Sequence, residues 1–210
     1  MSAAAHNDDF VQPASFAFSE ASLAQAQKHI AKYPKGRQAS AVMPLLWLAQ
    51  YQEGWVSRVA MDVIAGMLDM APIRVYEVAT FYTMYSLKPK GTHLIQVCRT
   101  TPCWLRGSDG LTDLCKKKLG IDMHETTKDG KFTLMEVECL GACVNAPMVQ
   151  INDDYYEDLT PETLSKVLDE LAAGRQPKVG PQIDRLNSAP AGGMTTLKDL
   201  PNQGPKGAGE

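Results

Sequence analysis

The apolar pattern of the chain changes near residue 90, and this change decides which elements can form on either side of it. Before that point, apolar residues recur at helical intervals in three segments: 19–33, a run between Ser40 and Gly54, and 58–70. After the KPKG run at 88–91, short apolar runs predict strands at 92–98, 132–138, 147–151 and 154–157. The sequence therefore predicts a small helical bundle followed by a domain that contains a sheet.

Two further helices are predicted among the strands, at 104–119 and at 160–174, and together the elements are typical of an α/β sandwich. From Arg175 onward the sequence is rich in Pro and Gly and cannot bury enough apolar surface to offset its chain entropy. The predicted parts are a flexible N-terminal segment, a helical bundle, an α/β domain and an extended tail, at 1–18, 19–90, 91–174 and 175–210.

Composition argues against several classes of function. A net charge of −3 and a pI near 5.8 provide no basic field for nucleic-acid binding. The most apolar run, at 41–50, is interrupted by Pro44 and is far shorter than the roughly 20 residues that span a bilayer. The first 20 residues contain no Lys or Arg, unlike a secretory signal or an Arg-rich transit peptide. We therefore expect a cytosolic or already processed chain with no membrane span.

The chain has five cysteines, and in a reducing compartment metal binding or redox chemistry is favoured over disulfides. Cys98 ends a predicted strand and Cys103 opens a predicted helix, while Cys139 and Cys143 flank a Leu-Gly-Ala loop after another strand. Loops at one edge of a sheet can converge on a point. Four thiolates at such a point suit either a zinc ion or an iron-sulfur cluster.

The spacing of these cysteines leaves the metal open. C-x₄-C with C-x₃-C is permitted for structural zinc but loose for that role. A plant-type ferredoxin has its third cysteine two residues after the second, whereas 35 residues separate Cys103 from Cys139. The four histidines show no grouping of the Rieske kind. Iron-sulfur and zinc both remain compatible with the pattern.

The residues around the cysteines carry further expectations. Cys115 shares a helical face with Leu111 and Leu114, so we expect it to be a buried core thiol rather than a ligand. Gly141 is expected to let the backbone bend close to a metal. Arg99 and Arg106 flank the cysteines, where they either offset cluster charge or are ordinary surface arginines.

Four stretches of the sequence resemble a known family. They are VCRTTPCWLRG at 97–107, VECLGACVNAPMVQIN at 137–152, VATFYTMYSLKPKG at 78–91 and LLWLAQYQEGWVS at 45–57. Together they resemble the thioredoxin-like [2Fe-2S] ferredoxin subunit of NADH:quinone oxidoreductase, respiratory complex I. Bacterial members of this family are called the E subunit and mitochondrial members flavoprotein 2, and the resemblance covers about residues 19–175.

The resemblance implies an α+β fold in which an N-terminal helical bundle precedes a thioredoxin-like α/β [2Fe-2S] domain. It implies that Cys98, Cys103, Cys139 and Cys143 hold one [2Fe-2S] cluster. The cluster would exchange single electrons with the FMN of a partner that also binds NADH. The chain would then work as a subunit of an oxidoreductase and would not be catalytic alone.

The implied partners are the NADH- and FMN-binding flavoprotein subunit and the neighbouring iron-sulfur subunit of complex I. The implied location is peripheral, on the cytoplasmic face of the bacterial inner membrane or on the mitochondrial matrix side. Two alternatives stay open at this point. One is the equivalent diaphorase subunit of an NAD-linked hydrogenase or formate dehydrogenase, and the other is a zinc-stabilised adaptor that binds a protein.

Overall fold

The computed structural model describes residues 10–193 and 196, and the chain divides into two compact units between Thr92 and His93. This division lies close to the residue at which the apolar periodicity changes. Residues 1–9 of the predicted N-terminal segment, and 194–195 and 197–210 of the predicted tail, lie outside the described residues.

The first unit is helical, with local signals that set where its helices begin and end. Ser19 and Ser57 each accept a hydrogen bond from a backbone N–H three residues later, at 3.2 Å in both cases. Gly54 ends the second helix with a φ of 80°, a left-handed conformation that glycine adopts without strain. Among the described residues of this unit, the α-helices are α1 Glu20–Ile30, α2 Val42–Glu53, α3 Arg58–Leu68 and α4 Pro72–Phe81. No helix among the described residues is both long and apolar enough to cross a membrane.

The described part of the N-terminal segment, residues 10–18, contacts the helical unit, although the sequence predicted a flexible segment there. The Phe10 ring lies 5.1 Å from that of Trp55 in an edge-to-face arrangement. Gln52 donates to the carbonyl of Ala17 at 2.9 Å. Phe16 and Phe18 also pack against the apolar core of this unit. Two phenylalanines and a few single contacts form too short a pattern for sequence reasoning to detect.

The second unit contains a five-stranded mixed sheet in the order β2-β1-β3-β4-β5. Its strands are β1 His93–Cys98, β2 Phe132–Val137, β3 Val149–Ile151, β4 Asp154–Glu157 and β5 Gly180–Pro181. β1 pairs in parallel with β2 and antiparallel with β3, and β4 pairs antiparallel with β3 and in parallel with β5. The four strands predicted from sequence are confirmed, and β5 was not predicted.

The α-helices in the described part of this unit are α5 Thr101–Leu105, α6 Ser108–Leu119 and α7 Pro161–Ala172. The prediction of one helix over 104–119 was wrong, because Gly107 takes a φ of 94° and breaks the chain into two helices. Cys103 consequently lies inside α5 and does not precede a long helix. α7 begins as predicted, with Thr160 in a capping box and Pro161 in its first turn.

The described residues 175–193 of the predicted extended tail make contacts that the sequence did not predict. β5 adds to the edge of the sheet beside β4, and Arg185 forms an ion pair with Asp158 at 2.6 Å. The side chains of Arg185 and Asp158 are only 7% and 11% exposed. Backbone pairing and a buried ion pair hold this segment, and neither produces the apolar pattern that predicts a core element. The low hydrophobicity of this segment therefore did not indicate that it pairs with the sheet.

Replacing Gln50 by Leu is expected to destabilise the helical unit by about 1–3 kcal/mol, because a buried polar group that loses its partner costs that much. Gln50 is 3% exposed, donates to the carbonyl of Met84 at 2.9 Å and accepts from the N–H of Ser86 at 2.6 Å. Chemical denaturation of the full chain, followed by tryptophan fluorescence, measures the change. Exposed Gln25, replaced in the same way, is the control and should cost little. Equal midpoints for the two variants would contradict the assigned role of Gln50.

Candidate metal centre

The parallel pairing of β1 and β2 determines where the cysteines meet. Cys98 is the last residue of β1 and is aligned with Val137, the last residue of β2. Because the carboxyl ends of parallel strands lie at one edge of a sheet, the loop that follows β2 begins beside Cys98. That loop carries Cys139 and Cys143, and Cys103 follows Cys98 on α5.

The four predicted cysteines come together as two pairs. The sulfurs of Cys139 and Cys143 lie 3.5 Å apart, and the thiols of Cys98 and Cys103 interact through a side-chain hydrogen bond. The two pairs also interact electrostatically, because Cys98 contributes to raising the pKa of both Cys139 and Cys143. Among the described residues, no group of three or more potential ligands is close enough to hold a single metal ion.

The two pairs differ in their environment. Cys98 and Cys103 are 2% and 1% exposed and pack with Met148, whereas Cys139 and Cys143 are exposed. The site therefore has a buried side within the domain and an accessible side on the loop.

Backbone and side-chain hydrogen bonds hold the loop that carries Cys139 and Cys143. Gly141 takes a φ of 84°, and its N–H donates to the Cys139 sulfur at 3.4 Å. Only glycine adopts this conformation without strain, which agrees with the bend expected from sequence. Tyr155 of β4 donates its hydroxyl to the carbonyl of Leu140 at 2.9 Å. The peptide bond between Ala146 and Pro147 is cis.

In each pair, one thiol has a lowered pKa and the other a raised pKa. Burial raises the pKa of Cys98, but hydrogen bonds from the Thr100 hydroxyl and the Leu140 N–H outweigh it, so the pKa is lowered. Burial raises the pKa of Cys103 to about 12. The Gly141 N–H lowers the pKa of Cys139, whereas the hydrogen bond to Cys139 raises that of Cys143.

This donor set fits a two-iron cluster. A [2Fe-2S] cluster is held by four cysteine thiolates, two on each iron, and the structure presents thiols in two pairs. Backbone N–H groups that reach the sulfurs, from Leu140 and Gly141, are the hydrogen bonds that stabilise negative charge at such a site.

Cys115 and Arg99 have their contacts outside this set, whereas Arg106 donates to the carbonyl of Ala146, which packs with Cys98 and Cys103, at 3.5 Å. Cys115 is fully buried in the core beside Leu111, as predicted, and burial raises its pKa to about 12. Arg99 forms ion pairs with Glu136 and Asp109 at 2.7 and 3.1 Å. Its charge is therefore shared with carboxylates of its own domain.

Sequence reasoning missed Thr100 and Tyr155, which contact the Cys98 sulfur at 3.5 Å and the Leu140 carbonyl at 2.9 Å. Thr100 lies inside the C-x₄-C stretch, and its position there was the one available signal. Tyr155 lies on a strand whose alternation indicates only that its side chain faces one side of the sheet.

In the metal-free protein, Cys139 should be alkylated several-fold faster than Cys143 at about pH 7.5, below the ordinary thiol pKa of about 8.5. Both thiols are exposed, and the one with the lowered pKa is more often the reactive thiolate. The ratio should shrink as the pH rises, because Cys143 then ionises too. Buried Cys115 is the control and should react last. Peptide mapping by mass spectrometry measures the rates, and equal rates for Cys139 and Cys143 at the lower pH would contradict the assignment.

Comparison with known proteins gives relatives of high identity. The chain is 55% identical over 194 residues to an NADH-quinone oxidoreductase E subunit of Rhizobium meliloti, covering 91% of this chain and 70% of that protein. It is 50% identical over 187 residues to the mitochondrial NADH dehydrogenase [ubiquinone] flavoprotein 2 of Dictyostelium discoideum, covering 89% of this chain and 76% of the relative.

A solved NAD⁺-reducing [NiFe]-hydrogenase shares the fold, with a TM-score of 0.56 at 17% identity over 62% of this chain and 23% of the hydrogenase chain. Residues 26–172 match the family described as thioredoxin-like [2Fe-2S] ferredoxin. The family match covers most of the chain and includes all four paired cysteines. With its mixed sheet, its helices and its two thiol pairs at one sheet edge, the chain belongs to the thioredoxin-like [2Fe-2S] ferredoxin family.

Proposed function

We propose that this chain is the electron-transfer subunit of an NADH:quinone oxidoreductase, with Cys98, Cys103, Cys139 and Cys143 as the ligands of one [2Fe-2S] cluster. The observation that carries the proposal is the convergence of these thiols as two pairs at one edge of the sheet. The named relatives, which are subunits of NADH-quinone oxidoreductases, support the assembly in which the chain would work.

When bound, a [2Fe-2S] cluster accepts and returns one electron at a time. The protein's contribution is to hold four thiolates in place and to stabilise the negative charge that they carry. The N–H groups of Leu140 and Gly141 point at the sulfurs of Cys98 and Cys139 for this purpose. Burial of Cys98 and Cys103 opposes added charge, whereas exposure of the other pair favours it.

The surface around the site fits a protein partner. Trp104, Leu105 and Val144 are 55%, 69% and 68% exposed, and each is adjacent in sequence to a proposed ligand or one residue further along. Exposed apolar residues beside a redox site are suited to an interface that excludes water. The proposed partner on this surface is the flavoprotein subunit that binds NADH and FMN, with an iron-sulfur subunit as a further neighbour.

In this proposal the hydride chemistry of NADH takes place on the flavoprotein subunit. The chain supplies a single-electron site and is not catalytic alone. It would lie peripherally with the complex, on the cytoplasmic face of a bacterial inner membrane or on the mitochondrial matrix side. The fold shared with the NAD⁺-reducing hydrogenase favours a second candidate, the equivalent diaphorase subunit of such an enzyme.

Replacing any one of the four proposed ligands by Ala should remove most of the bound iron and sulfide. The wild-type chain, purified without oxygen, should contain about two irons and two sulfides and give a rhombic EPR signal on reduction with dithionite. The Cys115→Ala variant is the matched control and should keep the cluster, because Cys115 lies in the core away from the site. A colourless wild-type protein with one zinc would contradict the proposal and favour the adaptor.

Replacing Leu105 by Glu should weaken association with the flavoprotein subunit by about tenfold or more, equivalent to ~1.4 kcal/mol. The charge would lie on the apolar surface beside Cys103. Val179→Glu is the control, since Val179 is also exposed, at 43%, on the same unit. Titration of purified partner with each cluster-loaded variant measures the affinity. Identical affinities for the two variants would remove Leu105 from the interface.

A further inference from the structure

We propose that Arg185 is a positioning residue for the thiol of Cys143. Arg185 lies beyond the residues 26–172 that match the family, in the segment that sequence analysis predicted to be an extended tail. The inference rests on the proposed function, because Cys143 is a ligand only if the cluster binds where we have placed it. It assigns to the segment 175–189, here called the strap, a role in holding the loop that carries Cys143.

The guanidinium of Arg185 joins three parts of the domain. It donates to both carboxylate oxygens of Asp158, from Nε at 2.9 Å and from Nη2 at 2.6 Å. Nη2 also donates to the carbonyl of Val144 at 3.0 Å, and Nη1 donates to the carbonyl of Ala189 at 3.2 Å. The bidentate pair fixes the plane of the guanidinium, so its donor to Val144 has one direction. Val144 is the residue that follows Cys143 in the chain.

Asn145 provides a second set of contacts between the same parts. Its side chain is 2% exposed and donates to the carbonyl of Asn187 on the strap at 2.9 Å and to the Glu157 carboxylate at 2.8 Å. The backbone carbonyl of Asn145 accepts from the N–H of Asp158 at 2.8 Å. The short turn Cys143–Asn145 is thus bonded to the end of β4 on one side and to the strap on the other.

The strap itself is anchored to the sheet. β5 pairs with β4, and the N–H of Gln182 donates to the carbonyl of Glu157 at 2.9 Å. Arg185 follows Gln182 by three residues, so this pairing fixes its position beside the turn Cys143–Asn145. Arg185 bonds the Asp158 carboxylate and the Val144 carbonyl at the same time. It therefore holds the loop that carries Cys143 at a fixed position relative to the sheet.

The effect of Arg185 is geometric. Its charge is balanced by Asp158 within the domain, and both side chains are nearly buried. Cys143 and Val144 are exposed, so burial of their own side chains does not fix this part of the turn, whereas the hydrogen bonds described above do. Outer residues that orient ligands typically change metal affinity by about 10–100-fold when they are replaced.

The experiment uses the full chain with its cluster and compares wild type with Arg185→Met and Arg185→Lys. Met keeps the length of the side chain but removes every donor, and Lys keeps the charge but cannot form the planar bidentate pair. Arg175→Met is the matched control, an exposed arginine at the start of the same segment. We measure the rate of cluster loss to a chelator by visible absorption, the EPR g-values after reduction, and hydrogen exchange in peptides that cover 139–147.

We expect Arg185→Met to lose its cluster about 10–100-fold faster than wild type, the range typical of outer residues that orient metal ligands. Its EPR signal should shift or broaden, and exchange should rise in 139–147 but not in α7 or β1. Arg185→Lys should fall between, and Arg175→Met should match wild type. A merely global loss of stability would instead raise exchange in α7 and β1 as well as in 139–147. If Met destabilises the whole domain, the EPR spectrum of the Lys variant decides.

Wild-type g-values and loss rates in both Arg185 variants would overturn the inference while leaving the proposed function intact, even if exchange in the loop increased. Absence of a two-iron cluster from the wild-type chain would instead overturn the proposed function, and this inference with it.

Discussion

The candidate site depends above all on the parallel pairing of β1 with β2. The register that aligns Cys98 with Val137 brings the end of one strand beside the loop that follows the other. Since side chains alternate along a strand, a shift of one residue would turn the Cys98 thiol to the opposite face of the sheet. Buried apolar residues on both strands, Ile95 and Leu134 among them, fix this register. The core of the domain and the geometry of the site are therefore set by the same interaction.

Much of this arrangement could be predicted from the sequence, because Cys98 ends one strand and Cys139 closely follows another, and both strands have clear apolar patterns. The capping of α7 by Thr160 could also be predicted, because Ser, Thr and Pro stabilise the start of a helix through local contacts. The break at Gly107 was not, because the apolar positions of α6 continue a helical spacing that begins before it. The strap was missed for a different reason: it is held by hydrogen bonds and one ion pair, and these leave no periodic pattern.

The two thiol pairs of the proposed site have different surroundings. Cys98 and Cys103 pack within the domain, where a low dielectric raises the free energy of a charged group. Cys139 and Cys143 are exposed beside apolar surface. Backbone N–H groups compensate on both sides, at Leu140 and at Gly141. An electron held at such a site is insulated from one direction and accessible from the other, which suits a carrier that works within a larger assembly.

The contact between Arg185 and Val144 joins residues 41 positions apart in sequence. During synthesis, the loop that bears Cys143 leaves the ribosome well before the arginine that holds it. The thiols would therefore exist for a time as an unsupported set, able to meet oxidants or the wrong metal before the chain is complete. In a growing polypeptide, the moment at which the centre becomes ready to receive iron would be set by the strap and not by its last cysteine.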